Sequence, residues 1–384
     1  MAAGDLDTSF DDNGKKAVSF GGTDQAFAVL VQRNGRIVVA GGGGAPGSSF
    51  CAARLRSNGA LDKSFDDNGK KIVNFGGDSE RAFGAALQPD GKIVLVGDAD
   101  LDAGVARLNK DGSLDTTFSG DGRRKYKWGS LSRAMDVIVL RNGKLVLAGF
   151  TGPEGGNMQV ARIKRNGAPD TAFGTGGRTS IDFGGDDFGF AAARQPNGRI
   201  VIAGLSRPTL SNDPPTAVVA RVRSTGVLDP DFNGDGRKVL TGMGTARDVI
   251  IQPDRKILVA GNPPDSPVMM VMRLDPNGTP DTTLGGDGTA TIDFGAGVDF
   301  CNAMALQPDG KIVLVGSIAG GLVAVARLNS DGSPDGTFST DGRATIDFGD
   351  PTGGNAVALQ KNGRIVVAGY LTANENFAVA RLRG

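Results

Sequence analysis

Aspartate and arginine are the side chains with which this sequence could do chemistry. The chain contains no histidine, and its only glutamates are Glu80, Glu154 and Glu375. Histidine, which is the commonest general base, zinc ligand and haem ligand, is therefore missing. Cys51 and Cys301 lie in distant parts of the chain, and we interpret them as two small buried apolar residues rather than as a disulfide. No catalytic residue and no metal ligand is identified.

One group of polar residues lies near the start of apolar segments that we expect to surround a central channel. Converging polar groups suit a pocket for a small ligand or a peptide; the alternative is ordinary ion pairs and water along a solvated channel. Asp136 and Asp248 could also act as the acid/base pair of a hydrolase or lyase, with only their position in favour. The candidate ligand-binding residues are Arg81, Arg133, Asp136, Asp187, Arg247, Asp248, Asp299, Asn302 and Asn355.

A second candidate is the basic and aromatic segment from Arg123 to Trp128, which contains Tyr126 and the only tryptophan of the chain. An aromatic ring flanked by cations can stack on a sugar or anchor a protein partner. The alternative is a solvated edge strand that uses its charges against aggregation. We keep Tyr126 and Trp128 as candidate binding residues.

The elements that must position these residues come from an internal repeat. A segment Leu-Asp-x-x-Phe, or a close variant, recurs about every 52–59 residues. Its last position falls at Phe10, Phe65, Phe118, Phe173, Phe232, Leu284 and Phe338.

Each repeat reads as four short strands bounded by Gly, Asp and Asn, with no helical segment between them. In residues 62–118 the predicted strands are Lys71–Phe75, Ala82–Gln88, Lys92–Gly97 and Gly104–Leu108. Four antiparallel strands per repeat match the blade of a β-propeller. We therefore predict an all-β fold, one seven-bladed propeller domain over residues 1–384.

The ring should be closed by the N-terminal strand, since the chain begins and ends inside the repeat pattern. A strand at about Lys16–Phe20 should complete the sheet formed by about Asn355–Leu382, which leaves no open sheet edge at the seam. The second strand should be innermost and the first outermost, because the second strand opens with small residues. These are Ala26, Ala82, Ala134, Gly189, Ala246, Cys301 and Gly354.

The units Leu-Asn-x-Asp-Gly-Ser-Leu-Asp-x-x-Phe and Ala-Leu-Gln-Pro-Asp-Gly-Lys-Ile-Val-Leu-Val-Gly resemble the delta-60 repeat, a bacterial β-propeller repeat of unknown function. The resemblance covers essentially the whole chain. It implies a secreted or cell-surface bacterial protein and brings no catalytic residues. Residues Met1–Phe10 carry no basic stretch followed by an apolar one, so we expect no export signal in this sequence.

Two charged positions recur in every repeat, which indicates architecture rather than a single ligand site. We expect each arginine to be partly buried and bonded to carboxylates or turn carbonyls between blades, and each aspartate to cap the turn that presents the Phe as a plug between blades. Leu284 replaces Phe once, which predicts a slightly looser seam. The arginines are Arg54, Arg107, Arg162, Arg221, Arg273, Arg327 and Arg381, and the aspartates are Asp7, Asp62, Asp115, Asp170, Asp229, Asp281 and Asp335.

The turns of the repeat divide between two faces of the ring. Turns 2–3 and 4–1 are monotonous, with Pro-Asp-Gly-Lys as the common 2–3 pattern; Pro253-Asp254-Arg255 departs from it and predicts a positive φ at Arg255. Loops 1–2 and 3–4 form a variable face, where we expect recognition. Its long loops are Gly42–Ser49, Thr151–Met158, Leu205–Thr216 and Asn262–Pro267.

Charge and composition exclude several partners. Lys plus Arg and Asp plus Glu both number 42, so no nucleic-acid footprint is expected, and no apolar run is long enough to insert into a membrane. Acidic turns such as Asp66-Asp67-Asn68-Gly69 suit calcium less well than plain turn chemistry. No cofactor is expected, with calcium as the alternative.

The predicted function is a monomeric, non-catalytic scaffold that binds a ligand, a protein or a carbohydrate on the variable face around the channel. The alternatives are a hydrolase or lyase that uses Asp and Arg residues at the channel mouth, and a purely structural surface domain. The fold alone cannot choose among them.

Overall fold

The computed structural model describes residues 2–45, 48–152, 156–209, 213–295 and 297–384. These residues form seven four-stranded antiparallel sheets and no helix. The prediction of a seven-bladed propeller is confirmed. We number the blades in chain order, so that blade 1 begins with the second strand of the first repeat.

Each sheet has the same strand order from the axis outward. The innermost strands, second in each repeat, are β2 Gln25–Val31, β6 Glu80–Leu87, β10 Ser132–Val139, β14 Asp186–Arg194, β18 Thr245–Ile251, β22 Phe300–Leu306 and β26 Thr352–Leu359. The third strands of the repeats are β3 Ile37–Gly43, β7 Ile93–Ala99, β11 Leu145–Thr151, β15 Ile200–Arg207, β19 Ile257–Asn262, β23 Ile312–Ile318 and β27 Ile365–Leu371. The fourth strands are β4 Ser49–Leu55, β8 Asp102–Leu108, β12 Met158–Ile163, β16 Thr216–Val222, β20 Met269–Leu274, β24 Leu322–Leu328 and β28 Asn376–Leu382. The outermost strands are β5 Lys70–Val73, β9 Arg123–Tyr126, β13 Arg178–Ile181, β17 Arg237–Val239, β21 Thr289–Ile292, β25 Arg343–Ile346 and, for blade 7, β1 Lys15–Val18.

Every repeat therefore spans two blades. Its first strand forms the outer edge of one sheet, and its remaining three strands begin the next sheet. The predicted innermost and outermost positions are correct. The strands of the repeat at residues 62–118 begin and end within about two residues of their predicted bounds.

Blade 7 closes the ring with strands from both ends of the chain. β1 pairs antiparallel with β28, with Lys15 opposite Ala380 and Val18 opposite Phe377. The backbone N–H of Asp7 also donates to the carbonyl of Arg381 at 2.8 Å. The predicted closure by the N-terminal strand is confirmed.

The hydrophobic core lies between the blades. Among the described residues it consists of seven clusters, and each cluster joins the facing side chains of two neighbouring sheets. Phe65, for example, is fully buried between blades 1 and 2, together with Phe50 of β4 and Leu95 of β7. All seven anchor positions, including Leu284, have no exposed surface. The predicted role of the anchor as a plug between blades is confirmed.

The recurring arginine ties each blade to the next. Arg107 is buried; its Nε lies 2.6 Å from Asp115 Oδ2, and its Nη1 donates to the carbonyl oxygen of Arg165 at 2.6 Å. Its guanidinium also stacks on Phe118, 4.9 Å from the ring centroid. Asp115 Oδ1 accepts hydrogen bonds from the backbone and side chain of Thr117. All seven repeats have the Arg–Asp pair, with distances of 2.5–2.9 Å, so the structural interpretation is confirmed.

A second cation reaches each of these aspartates from the 2–3 turn. Lys92 Nζ lies 2.6 Å from Asp115, and Arg199 Nε lies 2.7 Å from Asp229. The recurrent basic residue after the 2–3 turn thus belongs to the architecture. In the turn of blade 5, Arg255 has a φ of 76°, as predicted.

The acidic turns are held by their own backbone. Asn68 Oδ1 accepts the N–H of Lys70 at 2.7 Å, and Asp66 pairs with Lys71 at 2.9 Å. Within the described ranges, no group of three or more carboxylate or thiol residues could hold a metal ion. Across the same ranges no helix has the length and apolar character to cross a bilayer. Residues 46–47, 153–155 and 210–212, inside three of the variable loops, lie outside the described residues.

Candidate functional site at the channel mouth

The innermost strands surround the axis. Each of them contacts the innermost strand of both neighbouring blades in cyclic order, from β2 and β6 around to β26 and β2. The N-terminal ends of these strands follow the 1–2 loops, so they lie at the variable face. The side chains near these ends form the mouth of the channel.

Every innermost strand carries one β-bulge at the same place. In blade 5 the register shifts between Ala246 and Asp248, so that Arg247 is left without a partner on β19. Ala246 pairs with Gly261, where a Cβ atom would lie 1.8 Å from the carbonyl oxygen of Thr245. Glycine is therefore required at this position of the third strand. The equivalent residues are Gly41, Gly97, Gly149, Gly204, Gly261, Gly316 and Gly369.

The bulge explains the small residues that open the second strand. Ala26, Ala82, Ala134, Ala246 and Cys301 are fully buried, and each pairs with the glycine of the adjacent strand. Close packing was predicted at these positions. Its cause is the tight contact at the bulge, which bends the strand and re-aims the side chain that follows.

The seven bulged residues form a ring around the channel, which we call the bulge ring. Each is at least partly exposed, and neighbours touch across the seams. The Phe27 and Phe83 rings lie 5.2 Å apart, and the Arg247 guanidinium lies 4.8 Å from the Phe190 ring. The ring consists of Phe27, Phe83, Met135, Phe190, Arg247, Asn302 and Asn355.

The bulge ring is amphipathic. Blades 1–4 contribute three phenylalanines and a methionine, whereas blades 5–7 contribute Arg247, Asn302 and Asn355. Asn302 Nδ2 donates to the carbonyl of Gly354 at 2.8 Å, and Asn355 Nδ2 donates to that of Ala26 at 2.9 Å. The two asparagines of the polar half are thus positioned by hydrogen bonds to the next blade.

Asp136 and Asp248 follow the bulged residues of blades 3 and 5. Asp136 accepts the backbone N–H of Val137 at 2.7 Å and of Ala192 in blade 4 at 2.8 Å. Asp248 accepts those of Val249 and of Met304 in blade 6, both at 2.7 Å. Burial raises the pKa of both carboxyls, and that of Asp248 reaches about 7, with a smaller contribution from the charge of Asp136. Each carboxylate links two innermost strands.

Asp187 and Asp299 have a different environment from the one we expected at a ligand site. Their exposed fractions are 1% and 0%. Asp187 Oδ2 accepts the N–H of Phe183 at 2.6 Å, and Asp299 Oδ2 accepts that of Phe294 at 2.8 Å. Burial raises the pKa of both carboxyls.

Other blades use the equivalent position in the same way. Glu80 accepts the N–H of Phe75, and the Ser132 hydroxyl accepts that of Trp128, both at 2.8 Å. Asp187 and Asp299 therefore hold the 1–2 loops from inside the blade, and we do not carry them into the proposed ligand site.

Arg81 and Arg133 precede the small residues of blades 2 and 3. Arg81 is exposed, and its side chain lies against Gly42 of blade 1. Arg133 Nε lies 2.9 Å from Asp98 Oδ2. Burial raises the pKa of Asp98 to about 6, although the Arg133 charge opposes the shift.

An arginine–aromatic cluster occupies the mouth at blades 3–5. The ring centroids of Phe150 and Phe188 lie 4.8 Å apart, and those of Phe188 and Phe190 lie 6.3 Å apart in a stacked arrangement. Arg207 lies over Phe188 at 5.4 Å, and Arg247 over Phe190 at 4.8 Å. Within the described part of the chain, Arg247 forms no ion pair with a carboxylate. Guanidinium groups on aromatic faces are favourably placed for a ligand with both aromatic and anionic character.

Sequence reasoning identified Arg247, Asn302 and Asn355 of the bulge ring but missed its aromatic half. The missed residues also include Phe150, Phe188 and Arg207. Alignment of the repeats on the residue before the 2–3 turn, such as Gln32, Gln88, Gln195 and Gln252, places Phe27, Phe83 and Phe190 at the position of Arg247. That alignment was the available signal.

Tyr126 and Trp128 lie elsewhere, on and just after β9 at the outer edge of blade 2. Tyr126 is buried, and its hydroxyl donates to the carbonyl of Gly167 in blade 3 at 2.6 Å. The two aromatics therefore belong to a separate surface.

The repeats match a family model described as Domain of unknown function (DUF5122) beta-propeller. Six segments match, and together they make up half of the chain: 32–65, 88–118, 195–232, 252–284, 307–338 and 360–383. The chain belongs to this family. In this member of the family, the longest stretch between matched segments is residues 119–194.

Solved structures share the fold at low sequence identity. A catalytically inactive virginiamycin B lyase from Staphylococcus aureus, solved with quinupristin, has a TM-score of 0.59 at 10% identity and covers 96% of this chain and 99% of its own. Kuenenia stuttgartiensis hydrazine synthase has a TM-score of 0.56 at 14% identity, with 96% and 97% covered. Drosophila Plexin A in complex with Semaphorin 1b has a TM-score of 0.51 at 11% identity, with 99% and 88% covered. These likenesses show the propeller fold alone.

No curated protein matches the chain by sequence.

Proposed function

We propose that this propeller is a non-catalytic binding protein whose ligand enters the channel mouth on the variable face. The observation that carries the proposal is Arg247. Arg247 is an exposed residue whose guanidinium stacks on the Phe190 ring and has no carboxylate partner among the described residues. Desolvation by the surrounding protein lowers the pKa of this guanidinium. An uncompensated cation beside an aromatic surface suits an anionic group attached to an apolar one.

The amphipathic bulge ring supports a ligand of this class. The apolar half, from Phe27 to Phe190, would contact a ring or an aliphatic portion. Arg247 would bind the carboxylate, because charge-assisted hydrogen bonds from arginine are the stronger kind. An aromatic carboxylic acid, or a peptide that ends in an aromatic residue with a free carboxylate, fulfils both conditions.

The test is calorimetric titration with phenylacetate and with short peptides that end in phenylalanine, each compared with its neutral amide. Arg247→Gln should weaken binding of the acids about tenfold or more, since a hydrogen bond to a charged group contributes about 1.5–3 kcal/mol. Arg141→Gln, an exposed arginine in a 2–3 turn on the other face, is the control and should leave binding unchanged. Equal affinity for acids and amides would contradict the role of Arg247.

The alternative of a hydrolase or lyase rests on Asp136 and Asp248. A carboxyl with a pKa of about 7, as at Asp248, is suited to acid/base catalysis near neutral pH. Both oxygens of each carboxylate already accept backbone N–H groups, which favours a supporting role. Turnover of a bound ligand that Asp248→Asn abolishes would favour the enzyme.

We further propose a monomer that acts outside the cell and binds a protein or carbohydrate rather than nucleic acid or membrane. The balanced charge and the resemblance to the delta-60 repeat support this proposal. Absence of binding in ligand, pull-down and glycan-array screens would favour the purely structural role instead.

A further inference from the structure

A cleft opens at the outer edge of the seam between blades 2 and 3, away from the channel. Its volume is about 240 Å³. Arg124, Tyr126 and Trp128 of blade 2 form one wall, and Pro169 and Arg178 of blade 3 belong to the other. Small-molecule pockets usually measure about 300–1,000 Å³, so the cleft has room for one unit of a longer chain rather than for a whole ligand.

The cleft is strongly basic. Five lysines and arginines line it, and the described lining residues include no aspartate or glutamate. Lys125 and Arg162 are compensated by Asp100 at 3.0 Å and Asp170 at 2.5 Å. Arg124 and Lys127 form no ion pair within the described ranges. Arg178 also has no ion pair in these ranges, although its guanidinium donates to the Trp128 carbonyl, so three of the five cations that line the cleft lack a carboxylate partner.

The propeller fold does not require Lys127 or Trp128 at their positions in the repeat. The other repeats have Ser19, Asn74, Asp182, Thr241, Asp293 or Asp347 at the position of Lys127, and all but one have phenylalanine at the position of Trp128. The cleft residues all fall within residues 119–194, the longest stretch that the family model leaves unmatched. A structural role at the seam does not account for an exposed Lys127 where three repeats have aspartate.

The aromatic residues are held in place before any ligand arrives. Tyr126 is fixed by its hydrogen bond to the carbonyl of Gly167, and Arg124 lies over its ring at 5.4 Å. Arg178 Nη1 donates to the carbonyl of Trp128 at 2.5 Å. Trp128 is only partly buried, so part of its indole remains available for stacking.

We infer that this cleft binds an acidic carbohydrate, with one uronic acid or sulfated sugar of a polysaccharide stacked on Trp128. Its anionic groups would pair with Arg124 and Lys127. An aromatic face beside cations matches the apolar face and anionic substituents of such a sugar. Nucleic acid is less suited, since its binding requires an extended basic surface and the net charge of this chain is zero.

Trp128 provides a direct readout because it is the only tryptophan in the chain. The probes are oligogalacturonate, heparin and neutral dextran, titrated against the intrinsic fluorescence at two salt concentrations. The two acidic glycans should change the fluorescence and should bind more weakly at higher salt, whereas dextran should have no effect.

The decisive variant is Arg124→Thr/Lys127→Asp, which introduces the residues found at Thr179 and Asp182 of the next repeat and retains the tryptophan. It should weaken binding of the acidic glycans at least ~10-fold through loss of two charge-assisted contacts. Lys238→Thr, at the position equivalent to Arg124 in another blade, is the control and should bind as the wild type does.

The site is independent of the proposed channel ligand. Arg247→Gln should leave glycan binding intact, so failure of either proposal can be recognised separately. Absence of any response to the acidic glycans, equal binding by the double variant, or a response to single-stranded RNA alone would each overturn the inference.

Discussion

Replacement of Gly261 by alanine tests whether the bulge depends on the glycine of the third strand. An added Cβ would lie 1.8 Å from the Thr245 carbonyl oxygen, whereas ordinary contact begins at about 3.4 Å. The strands would have to separate locally by about 1.6 Å. This movement would break two ladder hydrogen bonds, about 1 kcal/mol each, and add about 1–3 kcal/mol of overpacking strain. We expect a total loss of about 3–5 kcal/mol.

The measurement is the free energy of unfolding in urea, or the unfolding rate if refolding is incomplete. Gly336→Ala is the matched control, because its Cβ would meet nothing closer than the Thr340 carbonyl at 3.7 Å. It should change stability by no more than about 0.5 kcal/mol. The displaced bulge in Gly261→Ala should also weaken channel ligands that depend on Arg247. If both alanine variants were equally stable, the steric explanation of the bulge would be wrong.

Three further predictions concern the seams and the channel. Arg221→Met should destabilise the protein by about 1.5–3 kcal/mol in urea unfolding, because Asp229 and the Pro276 carbonyl lose a buried guanidinium while Arg199 still pairs with Asp229. A change below about 1 kcal/mol would refute the seam role. Phe232→Leu, which imitates the natural leucine of the sixth anchor, should cost about 1–2 kcal/mol, as the ring that Arg221 covers at 5.0 Å is lost; unchanged stability would also remove the reason to expect a looser seam at the natural leucine. Asp248 has a folded-state pKa of about 7, above its unfolded value of about 3.9, so its contribution to the stability of the fold is complete below pH 4 and is lost as pH rises through 7. The stability that Asp248→Asn loses relative to wild type should therefore be smaller in thermal melts at pH 8 than at pH 5. An equal loss of stability at the two pH values would contradict the raised pKa.

The fold could be predicted because its determinants are local and repeated. Six of the seven Arg–Asp pairs join residues eight positions apart, as in Arg107 and Asp115, and the seventh, Arg381 with Asp7, is the same pair across the ring closure. The turn at Arg255 followed from one glycine missing from a familiar pattern. Ring closure could be predicted because Lys15 lies in a first strand of the repeat and Ala380 lies in a fourth strand, and these two strand types are neighbours in a blade. The looser seam at Leu284 stays a prediction.

The candidate site was less predictable because side-chain direction at the bulge depends on a different strand. A regular alternation along β14 does not indicate that Phe190 faces the channel, since the bulge shifts the register at Gly189. Asp187 and Asp299 lie near the channel mouth in the sequence pattern, yet they turn inward to the backbone of the preceding loop. Nothing in their own neighbourhood distinguishes a loop cap from a binding carboxylate.

Because each repeat contributes strands to two sheets, no blade can be finished until the first strand of the following repeat has been synthesised. Blade 7 is the extreme case, since its outer strand β1 precedes all the other strands and pairs with the last of them, β28. The circle can therefore close only after all seven repeats have been synthesised. The strands at the two ends of this sequence are neighbours in blade 7, so the propeller sequence could be joined end to end and reopened in any exposed 4–1 turn. Such a circular permutant would build all its blades from contiguous sequence except the one that contains the new opening.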